Sequence, residues 1–191
     1  DELSEVTFTA TFGSGIPNIA LAKNGVGIMG KYDEDEGGLL QVGGKDILKK
    51  DIMTIYATDR FNVSLTANSS SKLNNLNSNI KTGKRLTYSN SSIVIGKGIE
   101  KVLISASISY WQTKGWSQTL LMVQKNGYNI FQIYGKTDTN SNETFFISLP
   151  PALFDVKEGD VLTLCMQSGL SQTVNILSEN RGTHLTVEVV E

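Results

Sequence analysis

One long stretch of the chain alternates between two kinds of side chain. Residues 101–111, KVLISASISYW, contain no glycine or proline and carry a charge only at the first lysine. In an extended strand, successive side chains point to opposite faces. One face is therefore apolar and fit for a core, and it carries Val102, Ile104, Ala106, Ile108 and Tyr110. The other face is small and mixed, and it carries Leu103, Ser105, Ser107, Ser109 and Trp111.

The small, mixed face of this strand has two interpretations. It is either the half-wet outer face of a central sandwich strand or a surface that packs against neighbouring copies of the chain. Both interpretations need the opposite face to be buried, so the alternation of side chains does not choose between them.

Shorter patterns of the same kind fill most of the chain, and turn residues separate them. Alternation and short apolar runs predict strands at 6–12, 19–22, 26–29, 39–42, 47–50, 61–67, 86–88, 92–95, 118–124, 129–134, 144–149, 161–167 and 184–190. Asn126-Gly127 is the strongest hairpin signal, and Asn24-Gly25 predicts a smaller hairpin. Pro150-Pro151 is predicted to end a strand, with an irregular turn at 153–156. The polar run at 68–79 is predicted to be a loop with one short strand or turn.

These patterns predict an all-β protein. No segment keeps a 3.6-residue period over a helical length, and strands separated by Asn, Gly and Ser turns are typical of an antiparallel sandwich. A closing strand at 184–190 favours a closed jelly-roll arrangement. We predict a jelly-roll β-sandwich head at residues 52–191. A small β-rich shoulder or neck at residues 1–51 precedes it, stabilised by other chains or by the head.

Composition and charge exclude several classes of protein. Hydrophobic residues make up 39% of the chain and charged residues 19%, so the chain can bury a core and is not a disordered tail. The net charge is −2 and no Lys/Arg cluster stands out, so the sequence predicts no nucleic-acid partner. No run approaches the ~18 apolar residues of a membrane span, so we expect no membrane insertion.

The chain has one cysteine and one histidine, which leaves little room for metal or nucleophilic chemistry. Cys165 has apolar neighbours and is predicted to be a buried structural thiol, so a nucleophilic pair with His184 is disfavoured. Three copies of His184 around an axis could bind a metal, although a surface histidine is the simpler interpretation. The acidic run 33–36 lacks the spacing of a calcium loop and is interpreted as a solvated turn. We predict no catalytic residue, no metal and no cofactor.

Glycoside hydrolysis would need two carboxylates that face one sugar bond at a fixed separation. The acids available for such a pair are Asp138, Glu143, Asp155, Glu158 and Asp160. Nothing in the sequence pairs any two of them, so hydrolysis is the weaker hypothesis.

Aromatic and amide side chains concentrate around the turn that follows the long strand. A saccharide site needs an aromatic ring to stack on the sugar and planar polar groups for its hydroxyls. The predicted saccharide-binding residues are Trp116, Trp111, Gln112, Lys114, Tyr128, Asn129, Tyr134 and Asp138. Packing in a core or an interface is the alternative for each aromatic residue, most of all for Trp111, which ends the long strand.

Three stretches within residues 52–191 carry a family resemblance. They are IVIGKGIEKVLISA at 93–106, the KNG hairpin at 125–127 and DVKEGD at 155–160. They resemble the C-terminal head modules of tail and baseplate proteins of phages and prophages of Gram-positive bacteria. Those heads are similar to the globular jelly roll of complement and tumour-necrosis-factor proteins. None of the three stretches is a catalytic motif.

The resemblance implies a homotrimer at the tail tip of a virion that attaches to a host cell-surface saccharide or another surface receptor. It implies that the N-terminal residues join the head to other tail or baseplate proteins. It also favours contact between protomers for the small, mixed face of the long strand. The alternatives are a purely structural trimeric baseplate or fibre subunit and a cell-wall polysaccharide depolymerase.

Overall fold

The computed structural model describes residues 19–23, 26–33, 37–42, 45–46, 51–112, 118–136, 144–178 and 182–190. The chain divides into two compact units, Asp1–Lys49 and Lys50–Glu191. The described residues form strands and no helix. Accordingly, this part of the chain has no helix long and apolar enough to cross a membrane.

The first unit contains a four-stranded antiparallel sheet in the order β1-β2-β3-β4. Its strands are β1 (Ile19–Lys23), β2 (Val26–Asp33), β3 (Gly37–Val42) and β4 (Lys45–Asp46). Lys23 pairs with Val26, so the predicted hairpin pairing of β1 and β2 is confirmed. The predicted strands at 6–12 and 47–50, and residues 34–36 of the acidic run, lie outside the described residues.

The second unit packs two antiparallel sheets around one core. The six-stranded sheet has the order β13-β12-β15-β10-β9, with β7 also paired to β15. The seven-stranded sheet has the order β6-β16-β11-β17-β5-β8, with β14 also paired to β11. The strands are β5 (Ile52–Tyr56), β6 (Phe61–Leu65), β7 (Ser70–Lys72), β8 (Ser78–Thr82), β9 (Leu86–Ser89), β10 (Ser92–Ile95), β11 (Lys101–Gln112), β12 (Gln118–Lys125), β13 (Tyr128–Lys136), β14 (Phe145–Asp155), β15 (Val161–Ser168), β16 (Gln172–Leu177) and β17 (His184–Val189).

Apolar side chains from both sheets fill the space between them. The face of β11 that was predicted to be apolar is buried along its whole length, with Tyr110 at its end fully enclosed. The facing sheet contributes Leu162, Leu164 and Met166 of β15 to the same cluster. Burial of such side chains is worth about 25 cal/mol per Å² of apolar surface and supplies most of the driving force for folding.

Strand β14 differs from its prediction. It runs through Pro150-Pro151 as one strand of 11 residues, so the predicted end at the prolines and the irregular turn over 153–155 are wrong. The prolines are tolerated because β14 pairs with β11 alone among the described strands and leaves its other edge free. The register of the β11–β14 pairing also shifts between Ile104 and Ala106, opposite the two prolines. Because the regular ladder is interrupted there, it does not need the backbone N–H that proline lacks.

Four strands lie outside every predicted strand: β4, β5, β8 and β16. β8 lies on an edge and is mostly exposed, so its sequence SNIKT lacks the apolar alternation of a half-buried strand. β16, with the sequence QTVNIL, pairs with the end of β11 on one side and with β6 on the other. β17 pairs with six residues of β11, and β16 pairs with the residues that follow them on the same strand. The sheet therefore continues along β11 beyond the end of β17.

Candidate functional site

The seven-stranded sheet has an exposed surface on the side opposite the core, which we call the outer apolar face. It includes the small, mixed side of β11 and the neighbouring residues of β14, β17, β5 and β8. Large hydrophobic side chains are exposed there: Phe146 (64%), Leu153 (53%), Ile80 (47%) and Trp111 (36%). These side chains share one sheet face without forming a single contiguous patch, because Thr54 and Thr186 separate Ile80 from β11. Several large apolar side chains exposed on one face favour that face as a site of interaction.

Small polar side chains between these residues hydrogen-bond to one another. Thr54 Oγ1 lies 2.8 Å from Thr186 Oγ1. Ser107 Oγ donates to the carbonyl oxygen of Gly182 at 2.6 Å and lies 3.0 Å from Nδ1 of His184. The Ser107 hydroxyl has one proton, which Gly182 accepts, so Nδ1 of His184 is the donor to Ser107. These polar groups already have partners, so covering the face with another surface carries a small desolvation cost.

Cys165 and His184 lie in different sheets. His184 begins β17 at the outer apolar face, whereas Cys165 lies in β15 of the six-stranded sheet and is buried. Burial raises the pKa of the Cys165 thiol to about 11, although the charge of Lys72 acts in the opposite direction. The thiol donates to Gln124 Oε1 at 3.3 Å. The predicted buried thiol is confirmed, and the structure does not bring it to His184.

The predicted saccharide-binding residues that the structure describes lie at two ends of the head. Trp111 is the second-last residue of β11, and Tyr134 lies near the end of β13, at the end of the head where β12 begins. Tyr128 and Asn129 begin β13 at the opposite end, about 20 Å from Tyr134 at ~3.3 Å per strand residue. Both tyrosines are well exposed, at 79% for Tyr128 and 60% for Tyr134. Each is therefore open to a ligand, but one small ligand cannot contact both.

The remaining predicted residues have different outcomes. Lys114, Trp116 and Asp138 lie outside the described residues, and so does the side chain of Gln112. Asn129 is described, and its Oδ1 accepts a hydrogen bond from Nε2 of Gln124 at 2.9 Å. Asn129 therefore helps to order the surface of the six-stranded sheet. Among the described residues, no group of three or more His, Cys, Asp or Glu side chains could hold a metal ion.

A polar pocket that was not predicted lies at the free edge of β6. It has a volume of about 370 Å³. One wall is β6 of the seven-stranded sheet, and the other is the segment 71–75, which starts in β7 of the six-stranded sheet. Its polar lining consists of Asn62, Ser64, Ser71, Lys72, Asn74 and Asn75. The signal in the sequence is the run SSSKLNN, where amides and hydroxyls surround one cation.

Comparison with known proteins identifies the fold. No protein-family model matches the chain, and no curated protein sequence matches it. The crystal structure of murine APRIL at pH 5.0 is similar, with a TM-score of 0.52, 10% identity and coverage of 74% of this chain and 100% of that one. The structure of Eiger TNF from S. frugiperda is also similar, with a TM-score of 0.53, 10% identity and coverage of 74% of this chain and 92% of that one.

At 10% identity these similarities show the fold alone. The chain has an all-β jelly-roll head of the tumour-necrosis-factor kind. The predicted fold class is confirmed, and so is the part of the sequence resemblance that concerned this jelly roll.

Proposed function

We propose that this chain is a non-enzymatic receptor-binding module of a phage or prophage tail or baseplate, and that it binds a host cell-surface saccharide as a homotrimer. In this proposal the head lies at the tail tip of the virion and acts outside the host cell. The residues before the head attach it to other tail or baseplate proteins. The resemblance of the three sequence stretches supports the phage origin, and the jelly roll of the tumour-necrosis-factor kind agrees with it.

The outer apolar face is the observation that carries this proposal. Phe146 and Leu153 lie on β14 opposite Ser109 and Leu103 of β11, so large exposed side chains stand beside a flat strip of small ones. This combination suits close packing against another protein surface, because interface cores are apolar and well packed. A cyclic trimer in which each protomer presents this sheet to its neighbours covers all three copies of the face.

The exposed tyrosines support the saccharide ligand. Tyr128 and Tyr134 lie on β13 in the six-stranded sheet and therefore stay accessible when the seven-stranded sheet packs between protomers. A tyrosine ring offers an apolar surface for stacking on a sugar and a hydroxyl for its polar groups. A trimer presents three copies of each such ring, which increases the avidity for a repeating polysaccharide.

Two measurements test the proposal. Multi-angle light scattering at micromolar concentration is expected to give three times the chain mass of 20.8 kDa, and a monomer would reject the trimer. Co-sedimentation with purified cell walls of candidate Gram-positive hosts is expected to show binding that Trp116→Ala or Tyr134→Ala weakens. A trimer that binds no wall and no glycan supports a purely structural subunit. Release of reducing ends that an Asp→Asn substitution abolishes supports a depolymerase.

A further inference from the structure

We infer that the pocket at the free edge of β6 binds an anionic saccharide. The inference rests on the proposed function, because it assigns a place and a charge to the ligand of the same adhesion module. It does not depend on Trp116 or on the tyrosines of β13.

The lining of the pocket has the chemistry of a sugar site. Asn62, Asn74 and Asn75 each offer an amide that both donates and accepts, which matches the alternating needs of sugar hydroxyls. Phe61 and Val63 form its apolar wall and pack on the core of the head behind them. A volume of about 370 Å³ falls in the lower part of the ~300–1,000 Å³ range of small-molecule sites.

The charge of the pocket points to an anion. Lys72 is the one charged residue in the described lining, and no acidic side chain accompanies it there. Its Nζ donates to the carbonyl oxygen of Asn90, which holds the ammonium in place and uses one of its three protons. The other protons can bind a phosphate or carboxylate group, and hydrogen bonds between charged groups are about twice as strong as neutral ones.

The wall formed by 71–75 is held in place before any ligand binds. Leu73 and Leu76 are fully buried, so they anchor this segment in the core. The Ser91 hydroxyl donates to the carbonyl oxygen of Asn74, and the Tyr88 hydroxyl donates to that of Leu76 at 3.0 Å. A rigid wall loses little conformational entropy on binding, which favours affinity.

A row of residues paired across three strands links the pocket to Trp111, which the sequence predicts to bind sugar. Trp111, Asn175 and Asn62 are neighbours in register across β11, β16 and β6, and Asn175 Nδ2 donates to Asn62 Oδ1 at 2.8 Å. Two strand spacings of ~4.8 Å place Trp111 about 10 Å from Asn62. Asn175 Oδ1 is buried and has no hydrogen-bond partner in the described part of the chain. Trp111 belongs to the outer apolar face that the proposed trimer covers, so this row runs from the pocket towards the protomer interface and the saccharide is confined to the pocket.

Matched substitutions in the full chain test the site. Lys72→Gln removes the charge and keeps a donor for Asn90, and Asn75→Ala removes one exposed amide. The controls are Lys97→Gln and Asn79→Ala, which make the same chemical changes at exposed positions outside the pocket. Binding to purified Gram-positive cell walls is measured for all four variants, after circular dichroism and light scattering show an unchanged fold and mass. We expect each pocket variant to bind about tenfold more weakly or worse, and each control to bind like the wild type.

Salt and competitors then test the charge of the ligand. Added NaCl should weaken wild-type binding more than binding of Lys72→Gln, because salt screens the lost interaction. Tetragalacturonate as competitor represents a carboxylate ligand, a phosphorylated mannan oligosaccharide represents a phosphate ligand, and maltotetraose is the neutral control. Stronger inhibition by one anionic competitor supports the inference and identifies the anionic group. Equal inhibition by maltotetraose overturns the anionic assignment.

The outcomes separate the two levels of the proposal. If the wild-type trimer binds walls and both pocket variants bind equally well, the pocket assignment is wrong and the adhesion function stands. If the wild-type trimer binds no wall and no glycan, the adhesion function itself is wrong.

Discussion

The side chain of Asn126 donates a hydrogen bond from Nδ2 to Oδ1 of Asp160 at 2.8 Å and so joins two turns at one end of the head. Asn126 Oδ1 also accepts from the backbone amide of Val161 at 2.8 Å. Asp160 Oδ2 accepts from the backbone amide of Lys157 at 3.0 Å and lies 3.8 Å from Nζ of Lys125. The KNG hairpin and the DVKEGD turn, distant in sequence, are therefore one structural unit.

The third stretch that carries the family resemblance meets the same unit. The backbone amide of Ile95 donates to the carbonyl oxygen of Asp160 at 2.9 Å, and that of Gly159 donates to Ile95 at 2.8 Å. All three stretches thus hold one corner of the jelly roll. Their shared role explains why the resemblance indicates a fold more strongly than it indicates a ligand.

The first prediction concerns Asn126, whose φ of 54° lies in the left-handed region. Asn126→Ala removes both side-chain hydrogen bonds and puts an unfavourable residue in this conformation, so we expect a loss of about 2–4 kcal/mol in the free energy of unfolding. Asn126→Gly removes the same hydrogen bonds but suits the backbone, so it should cost about 1–2 kcal/mol less than Asn126→Ala. Urea unfolding measures both. Wild-type stability in both variants would contradict the role of this contact.

The second prediction concerns the pH dependence of stability. Burial alone would raise the pKa of Asp160, but hydrogen bonds from Asn126 and the Lys157 amide, with the charges of Lys125 and Lys157, hold it below its usual value. The folded pKa is thus lower than the unfolded value of about 3.9. The stabilisation by the carboxylate is therefore present above about pH 4 and is lost as the pH falls through the folded pKa.

Urea unfolding between about pH 2 and pH 6 measures this contribution. The wild type should lose stability below about pH 4 more steeply than Asp160→Asn, which has no carboxylate to protonate. Glu158→Gln is the matched control, because Glu158 lies in the same turn and is exposed. Its profile should follow the wild type. Identical slopes for wild type and Asp160→Asn would show that Asp160 does not contribute.

The third prediction compares two glycines with nearly equal backbone angles. Gly83 has a φ of +75°, and a Cβ there would lie 1.9 Å from Oδ1 of Asp51. That carboxylate is buried and forms a salt bridge of 2.6 Å with Nε of Arg85, so it is not free to move away. Gly98 has a φ of +77° and open space around it.

Gly98→Ala should therefore cost only the left-handed strain of about 1–2 kcal/mol. Gly83→Ala should cost this strain plus the displacement of the buried Asp51 carboxylate from the half-exposed Arg85, about 1–3 kcal/mol more. Thermal and urea unfolding of the two variants measure the difference. Equal losses would show that the Asp51–Arg85 pair shifts without cost.

Local pattern explains which parts of the fold were predictable from the sequence. β11 was predictable because a strand with a core on one side needs an apolar residue at every second position. Its partner hairpin was predictable because Asn126-Gly127 suits left-handed backbone angles, which both residues adopt. The path of β14 was not, because the cost of Pro150-Pro151 depends on whether the strand lies at an edge, and that is a property of the whole sheet.

The candidate sites depend on such long-range relationships even more. Asn62 and Lys72 line one pocket because β6 and β7 belong to different sheets whose free edges meet. Trp111, Asn175 and Asn62 form a row because of the register of three strands. Residue types indicated sugar chemistry around Trp111 but not at the pocket, and no pattern along the chain states which strands become neighbours. The exposure of Phe146 likewise follows from the placement of β14 beside β11.

The last prediction tests whether the outer apolar face is the surface between protomers of the proposed trimer. Phe146→Asp places a charge on the outer apolar face, and burying an unpaired carboxylate in an interface costs several kcal/mol. We expect this variant to be monomeric at micromolar concentration in light scattering, with the circular dichroism of the wild type. Leu153→Asp on the same strand should act in the same direction.

Tyr134→Asp is the matched control for this prediction. Tyr134 is exposed to 60%, close to the 64% of Phe146, but it lies on the six-stranded sheet, so the same change should leave the trimer intact. The two aspartate variants thus compare opposite faces of one head with an equal change in charge. A trimeric Phe146→Asp together with a monomeric Tyr134→Asp would place the interface on the six-stranded sheet. The tyrosines of β13 would then be packing residues, and the saccharide would have to bind elsewhere.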